Sequence, residues 1–183
     1  MGGEDKYIKK VLNDRLPSER IAMIIPGFGG YKEKELRRDT DQLIRNKISA
    51  TLKIGLKDLQ WCYREIINCD LIERTDIIDR LIIKTDRINE KIYHAKRGYS
   101  GIWQAVKVGE EELYELMCYD ASLLEISEQL KNDISQLKDE IKRKNIDEAI
   151  KLIDCYEMSI DDFDNKFTER EEVILGLIKG GDI

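Results

Sequence analysis

The chain is poor in residues that interrupt helices or build strands. Only two prolines, Pro17 and Pro26, occur in 183 residues. Proline removes a helical hydrogen bond and clashes with the preceding turn, so a chain nearly free of it can run in long helices. No segment alternates apolar and polar residues as a half-buried strand does. A single histidine, His94, excludes the paired Glu-x-x-His motifs of a di-iron bundle. It also leaves serine and cysteine nucleophiles without a base that can be named. No uncharged apolar run approaches the roughly 18 residues of a membrane-spanning helix. The segment Met1 to Lys10, charged from Glu4 onward, lacks the apolar stretch of a signal peptide. A cytoplasmic chain is the expectation.

Cys62, Cys69, Cys118 and Cys155 form no C-x-x-C pair, so zinc-finger and thioredoxin spacings are absent. Cys62 and Cys69, on one helix, would stand about 10.5 Å apart along its axis, too far for a disulfide. Free cysteine packs as a small hydrophobe. Core thiols are therefore expected; the alternative is a cross-helix metal site joining Cys62 or Cys69 with Cys118 and Cys155. No metal and no cofactor is assigned.

What the chain has in excess is charge, 37% of its residues, beside a hydrophobic fraction of 42%. That apolar content is too high for a disordered chain, and the length suffices for one core without a metal or disulfide staple. The net charge of −6 hides a polarity. Residues 1–107 carry 22 Lys+Arg against 16 Asp+Glu, and residues 108–183 carry 9 against 21. Either the basic half meets an acidic partner, or the two halves attract each other within one bundle or across a dimer.

Helical periodicity runs through most of the chain. Tyr7, Ile8, Val11 and Leu12 mark a short first helix that Pro17 stops, and Ser18 to Ile25 gives one or two more turns before Pro26-Gly27. From Tyr31 to about Asn68 only Gly55 weakens a helix whose stripe is Leu43, Ile44, Ile48, Leu52, Leu56, Leu59, Tyr63, Ile66 and Ile67. A third helix follows Asp70, through Ile78, Leu81, Ile82, Ile88 and Ile92, to a C-cap at Gly98. Glu110, Glu111 and Glu112 open a fourth, as the helix dipole favours. Its 3-4 repeat reads Leu113, Leu116, Asp120, Leu123, Ser127, Leu130, Ile134, Leu137 and Ile141. Lys142 to Asn145 closes it, and the last helix continues with Ile146, Ala149, Ile153, Tyr156, Ile160, Phe163, Phe167, Arg170, Ile174 and Leu177.

Such sustained heptads predict an all-α fold. The expected architecture is a bundle of two long antiparallel helical hairpins with coiled-coil-like packing and a short N-terminal helix. Residues 1–30 form the N-terminal helical segment with its glycine-rich loop, and 31–183 the long-helix bundle as a single domain. Asp120 interrupts an apolar seam. It either fixes register or oligomeric state, or pairs with Arg170 or Arg38.

Packed with their open ends together, the hairpins bring both glycine-rich stretches, Pro26 to Gly30 and Gly98 to Gly109, to one end. That end gathers Phe28, Tyr31, Tyr99 and Trp103 with Lys32, Lys34, Arg37, Arg38, Lys96, Arg97 and Lys107. Tyr31, Arg37, Arg38, Tyr99 and Trp103 are the candidate ligand- or partner-binding residues, offering guanidinium forks and aromatic rings. The competing reading caps the core with the aromatics and neutralises the arginines with Glu169, Glu171 and Glu172.

Two segments carry a resemblance. Ile25 to Asp41 (I-P-G-F-G-G-Y-K-E-K-E-L-R-R-D-T-D) and Ala95 to Trp103 (A-K-R-G-Y-S-G-I-W) resemble a group of small helical archaeal and bacterial proteins that pair P-G-aromatic-x-G-Y-K-x-K-E-x-R-R with A-x-x-G-Y-x-G-aromatic. The resemblance implies no activity, cofactor or site residue.

Catalytic and nucleotide motifs are lacking. Gly27-Phe28-Gly29-Gly30 does not have the G-x-x-x-x-G-K-[ST] spacing of a phosphate loop, and no strand precedes it. Glu90 and His94, four apart, read as a surface contact. Asp161, Asp162 and Asp164 read as a solvated face rather than a cation site. The function expected from the heptads and the absent catalytic motifs is a non-enzymatic interaction or scaffold module. A homodimer is expected because long helices with seam breakers at Asp120 and Ser127, and an amphipathic segment from Tyr7 to Ile25, offer more apolar stripe than one four-helix bundle can cover. Ile21 to Phe28 is expected to dock on a second chain. The alternative is a protein, possibly an enzyme, that binds an anionic or phosphate-containing small ligand at the open end. Nucleic acid fits less well, since Glu33, Glu35, Asp39 and Asp41 dilute the positive stripe from Lys32 to Lys53.

Overall fold

In a computed structural model of the chain, the described residues are 15–28, 34–68, 75–95 and 110–180, and they hold five α-helices and no strand. These are α1 (Pro17–Ile24), α2 (Lys34–Ile67), α3 (Thr75–His94), α4 (Glu110–Arg143) and α5 (Ile146–Gly180). Side chains are described for these residues except 34–40, 110, 112–113 and 176–180. The helix expected between Asp5 and Arg15 and the cap at Gly98 lie outside the described residues.

Local chemistry explains the boundaries. Pro17 opens α1, where its missing N–H costs nothing, and the Glu19 carboxylate accepts the Leu16 N–H at 3.2 Å. Pro26 and Gly27 then turn the chain, with the Phe28 N–H donating to the Ile25 carbonyl at 3.2 Å. Gly27 has φ +83°, a conformation that side chains resist. At the other turn Lys144 adopts φ 60°. The Lys144 N–H reaches the Ile141 carbonyl and the Asn145 N–H the Glu140 carbonyl, both at 3.0 Å, which satisfies the end of α4. The Asn145 side-chain amide also donates to the Glu140 carboxylate at 2.8 Å. The Asn145 carbonyl accepts from Ala149, so α5 starts at once.

The core follows the 3-4 stripes. In α4, Leu116, Asp120, Leu123, Ser127, Leu130, Ile134, Leu137 and Ile141 are all buried, and in α5 so are Ala149, Ile153, Tyr156, Ile160, Phe163, Phe167, Arg170 and Ile174. In α2 the stripe is shifted from the expected one. Leu43 and Ile67 are exposed, Leu56 and Tyr63 are half-buried, and Gly55 and Cys62 take inward positions.

α2 packs against α3 and α4; α4 also packs against α5 and α1, and α3 meets α5. Lys84, Arg87 and Lys91 of α3 reach Asp161, Asp164 and Thr168 of α5, a constant offset of 77 residues, so these helices run in the same direction. Lys47 and Asp58 of α2 reach Glu128 and Lys138 of α4, again in rising order. At Gly55 the two helices come close, and a Cβ there would stand 3.0 Å from Ile134 Cδ1.

Ile21 of α1 and Ile25, just past its end, are buried in this same core. Arg20 donates to both Glu125 oxygens of α4, at 2.7 and 2.6 Å. Of the segment from Ile21 to Phe28, expected to dock on a second chain, Ile21 and Ile25 are thus covered by their own chain, whereas Met23 on the outer side is 57% exposed.

Candidate functional site

Three helices bring an ionic network into the core. Asp41 and Arg45 lie four apart in α2 and face inward with Ile44 and Ile48; Asp120 and Arg170 occupy seam positions of α4 and α5. Arg170 is 1% exposed and Asp120 0%. The Arg170 Nε–H donates to Asp120 Oδ1 at 2.6 Å, and its Nη2–H to Asp41 Oδ1 at 2.6 Å. The second Asp41 oxygen accepts from Arg45 Nε at 2.9 Å and Nη2 at 2.5 Å. The order is Arg45–Asp41–Arg170–Asp120, and its charges sum to zero. Arg45, Asp120 and Arg170 each make a further interaction besides these.

Charges this deep are stable only when paired and well bonded. Arginine cannot deprotonate to escape burial, so Arg170 brings two carboxylates with it. Arg170 divides its donors between two carboxylates and Arg45 places both of its donors on one Asp41 oxygen, so the arrangement ties α2, α4 and α5 together at one level. Its chemistry is binding and positioning, since these guanidinium and carboxylate groups are directed at one another.

The expected partnership of Asp120 with Arg170 is thus present. Asp41, taken from sequence to dilute a surface stripe, is buried instead. Asp41 and Arg45 were missed as core residues. The signal was available, because both continue the inward spacing of Ile44 and Ile48.

Of the candidate binding residues, Tyr31, Tyr99 and Trp103 lie outside the described residues. Arg37 and Arg38 belong to the first turns of α2, with undescribed side chains. Their convergence is therefore left as an expectation. Among the glutamates expected to neutralise these arginines, Glu171 pairs with Lys91 at 3.3 Å. Glu169 and Glu172, together with Glu115, act on Tyr119, whose phenol is raised by burial first and by these carboxylates second.

Two further polar contacts cross the core. The Ser49 hydroxyl donates to Asn89 Oδ1 at 2.7 Å, linking α2 to α3. Thr85 and Tyr156 share a hydrogen bond of 3.0 Å, and burial drives the Tyr156 phenol well above its ordinary range. The carboxylates of α5 serve the seam with α3: Asp161 pairs with Lys84, and Asp164 with Arg87 and Lys91. Asp162 pairs with Lys166. His94 contacts Glu90 at 3.0 Å on the surface.

The cysteines divide. Cys62 is a core thiol, pushed up to about 12 chiefly by burial. Cys118 is half-buried, and Cys155 is exposed, against the expectation of a core thiol there. Among the described residues, no group of three His, Cys, Asp or Glu side chains is placed to hold a metal ion. No described helix is long and apolar enough to cross a membrane. No family model matches the chain, and no similar curated protein or solved structure was found.

Proposed function

We propose that the protein is a non-enzymatic, cytoplasmic interaction or scaffold module, built from two antiparallel helical hairpins (α2 with α3, α4 with α5) in coiled-coil-like packing. The observation that carries this reading is the direction of its buried chemistry. The ionic groups inside the bundle, Asp41, Arg45, Asp120 and Arg170, bind one another across three helices. Large apolar side chains meanwhile stand outward on several helices, among them Met23, Ile54, Ile83 and Met158. A stiff frame with apolar outward positions suits assembly. The free thiols Cys62, Cys118 and Cys155 suit a reducing compartment. Kinship with the small helical proteins that share the two glycine-tyrosine segments belongs to the same proposal and adds no activity to it.

Homodimerisation is part of the reading, through the outer side of α1, where Leu16 and Met23 are more than half exposed. Light scattering at micromolar concentration should give twice the chain mass of 21.4 kDa, and Met23→Glu should halve it. A wild-type mass of one chain rejects the dimer.

A second reading has its own support. α2 and α4 run in the same direction, so their N-termini share one end, and Arg37 and Arg38 stand in the first turns of α2. Helix N-termini supply N–H donors and partial positive charge for an anion. Thermal-shift titration with inorganic phosphate and simple dicarboxylates separates the readings. Saturable stabilisation that disappears in Arg37→Ala/Arg38→Ala, with an unchanged melting temperature for the free variant, establishes ligand binding at that end and displaces the scaffold reading.

A further inference from the structure

We infer that the outer face of α2, from Leu43 to Arg64, is a docking surface for an acidic amphipathic helix of another protein. The inference rests on the interaction reading above and names its surface and partner.

Between Gln42 and Arg64 the exposed positions of α2 are Gln42, Leu43, Asn46, Ala50, Lys53, Ile54, Lys57, Gln60 and Arg64. None is acidic, in a chain whose net charge is −6. The one carboxylate in this stretch, Asp58, turns toward α4 and pairs with Lys138. Lys57 and Arg64 have no acidic partner among the described residues. At the far end, half-buried Trp61 lies beneath Lys138 and Lys142, whose ammonium groups stand 5.3 and 5.6 Å from its ring centre.

Apolar residues punctuate this basic face at helical spacing. Leu43, Ala50, Ile54 and Trp61 follow one another at intervals of 7, 4 and 7 residues, so they form one strip along the helix. Leu43 is 46% exposed and Ile54 52%. The strip is about 27 Å long, the length of a helix of about 18 residues. A helix laid along it with its own apolar seam inward and acidic flanks outward covers Leu43 and Ile54 and meets Lys53, Lys57 and Arg64. This is the e/g logic by which charges choose a partner in helix pairs.

Other occupants fit less well. A phosphate backbone would engage the cations and leave Leu43 and Ile54 uncovered. A two-fold pair of copies through this face would set cation against cation. The acidic outer face of α5 (Asp147, Asp154, Asp162, Glu169) is complementary in charge. It lies across the core from α2, however, so that contact between copies would be head-to-tail and build a ring or an open chain of subunits instead of a two-fold dimer.

The test uses the full chain and a fluorescein-labelled peptide of about 20 residues, designed as a helix with leucines at 3-4 spacing and glutamate elsewhere. A version with lysine for glutamate, a single-stranded oligonucleotide and phosphatidylserine vesicles are the comparison probes. The acidic peptide is expected to bind, more weakly as salt rises. Lys57→Glu/Arg64→Glu, and separately Ile54→Glu, should each weaken it roughly tenfold with the melting temperature unmoved, whereas Ile83→Glu on the outer side of α3 should change nothing. Equal binding of the lysine peptide overturns the inference. So does oligonucleotide or vesicle binding that the α2 variants abolish while the acidic peptide is unaffected. Concentration-dependent self-association lost in Lys57→Glu/Arg64→Glu assigns the face to a second copy and also overturns it. Acidic-peptide binding insensitive to both α2 variants removes this surface but leaves the interaction reading standing. That reading fails separately, by the phosphate titration at Arg37 and Arg38.

Discussion

Among the described residues Arg170 heads the fully buried side chains by volume, and its guanidinium keeps its charge at any ordinary pH. Removing it leaves Asp120 buried without its 2.6 Å donor and takes one of the two arginines from Asp41. Breaking such a buried pair from one side costs about 3–5 kcal/mol. Arg170→Met should therefore lower the melting temperature by about 10 °C, at the 2–4 °C per kcal/mol typical of this size. Asp120→Leu combined with Arg170→Met should recover most of that loss in a thermal melt, because an apolar pair removes both desolvated charges together. A double variant as unstable as Arg170→Met alone would mean that the network does more than balance charge. The cysteines give a sharper contrast. The thiolate is the reactive form, and Cys62 is buried and pushed up to about 12, while Cys155 is exposed. Native protein treated with a maleimide should be modified at Cys155 within minutes, and at Cys62 only on the timescale of unfolding. Site-resolved mass spectrometry showing equal rates would contradict the burial of Cys62.

At the scale of the helix, Gly55 shows what periodicity conveys and what it hides. As a sequence feature it is a weak helix residue that α2 tolerates; in the fold it packs closely on α4, 3.0 Å from Ile134 Cδ1 for any added Cβ. Gly55→Ala gains up to about 1 kcal/mol of helix propensity and must displace Ile134, itself only 1% exposed. The two effects nearly cancel, so the melting temperature should move by no more than about 3 °C either way. Gly55→Leu should be destabilised by about 1–3 kcal/mol from overpacking. Ile134→Val should turn Gly55→Ala into a net gain, a coupling that a double-mutant cycle of urea midpoints reads directly. The stripes of α4 from Leu116 to Ile141 and of α5 from Ala149 to Ile174 were legible residue by residue, polar members included. Ile146 is half-buried, and the side chains of Leu113 and Leu177 lie outside those described. The stripe of α2 was drawn too wide. Leu43 and Ile67 are apolar but point outward, and Asp41, Arg45 and Gly55 point inward. Hydropathy ranks side chains by type, whereas burial follows from the angle at which a neighbouring helix lies. The cluster of Tyr31, Arg37, Arg38, Tyr99 and Trp103 depends on segments without periodicity, so sequence spacing carries no information about whether those side chains meet.

For the whole molecule, the charge polarity of the sequence is largely answered inside the chain. Arg20, Lys47, Lys84, Arg87 and Lys91 of the basic half reach Glu125, Glu128, Asp161, Asp164 and Glu171 of the acidic half. Lys138–Asp58 and Arg170–Asp41 run the other way. Among these pairs Glu128 makes stability depend on pH at the acid end. Burial raises its carboxyl, but hydrogen bonds from Lys131 and Lys47 outweigh that and hold it below 4.5. Its contribution is present above the unfolded value and is lost as pH falls through the folded one. The alkaline limb belongs to Cys62 and Tyr156, both raised mainly by burial. Below pH 9.0 the Cys62 thiol is protonated in both states; between 9.0 and about 12 the unfolded chain releases that proton and the folded chain keeps it. The unfolded state then binds fewer protons, so the stability falls as pH rises. Urea unfolding should accordingly show a plateau near neutrality and a decline from about pH 9, with Tyr156 adding a second step above it. Cys62→Val fills nearly the same space without a titrating group. Its stability at pH 7 should be close to that of the parent, and its slope between pH 9 and 10.5 should be flatter. Parallel slopes for the two proteins would show that Cys62 is ionised equally in both states, which is incompatible with its place in the core.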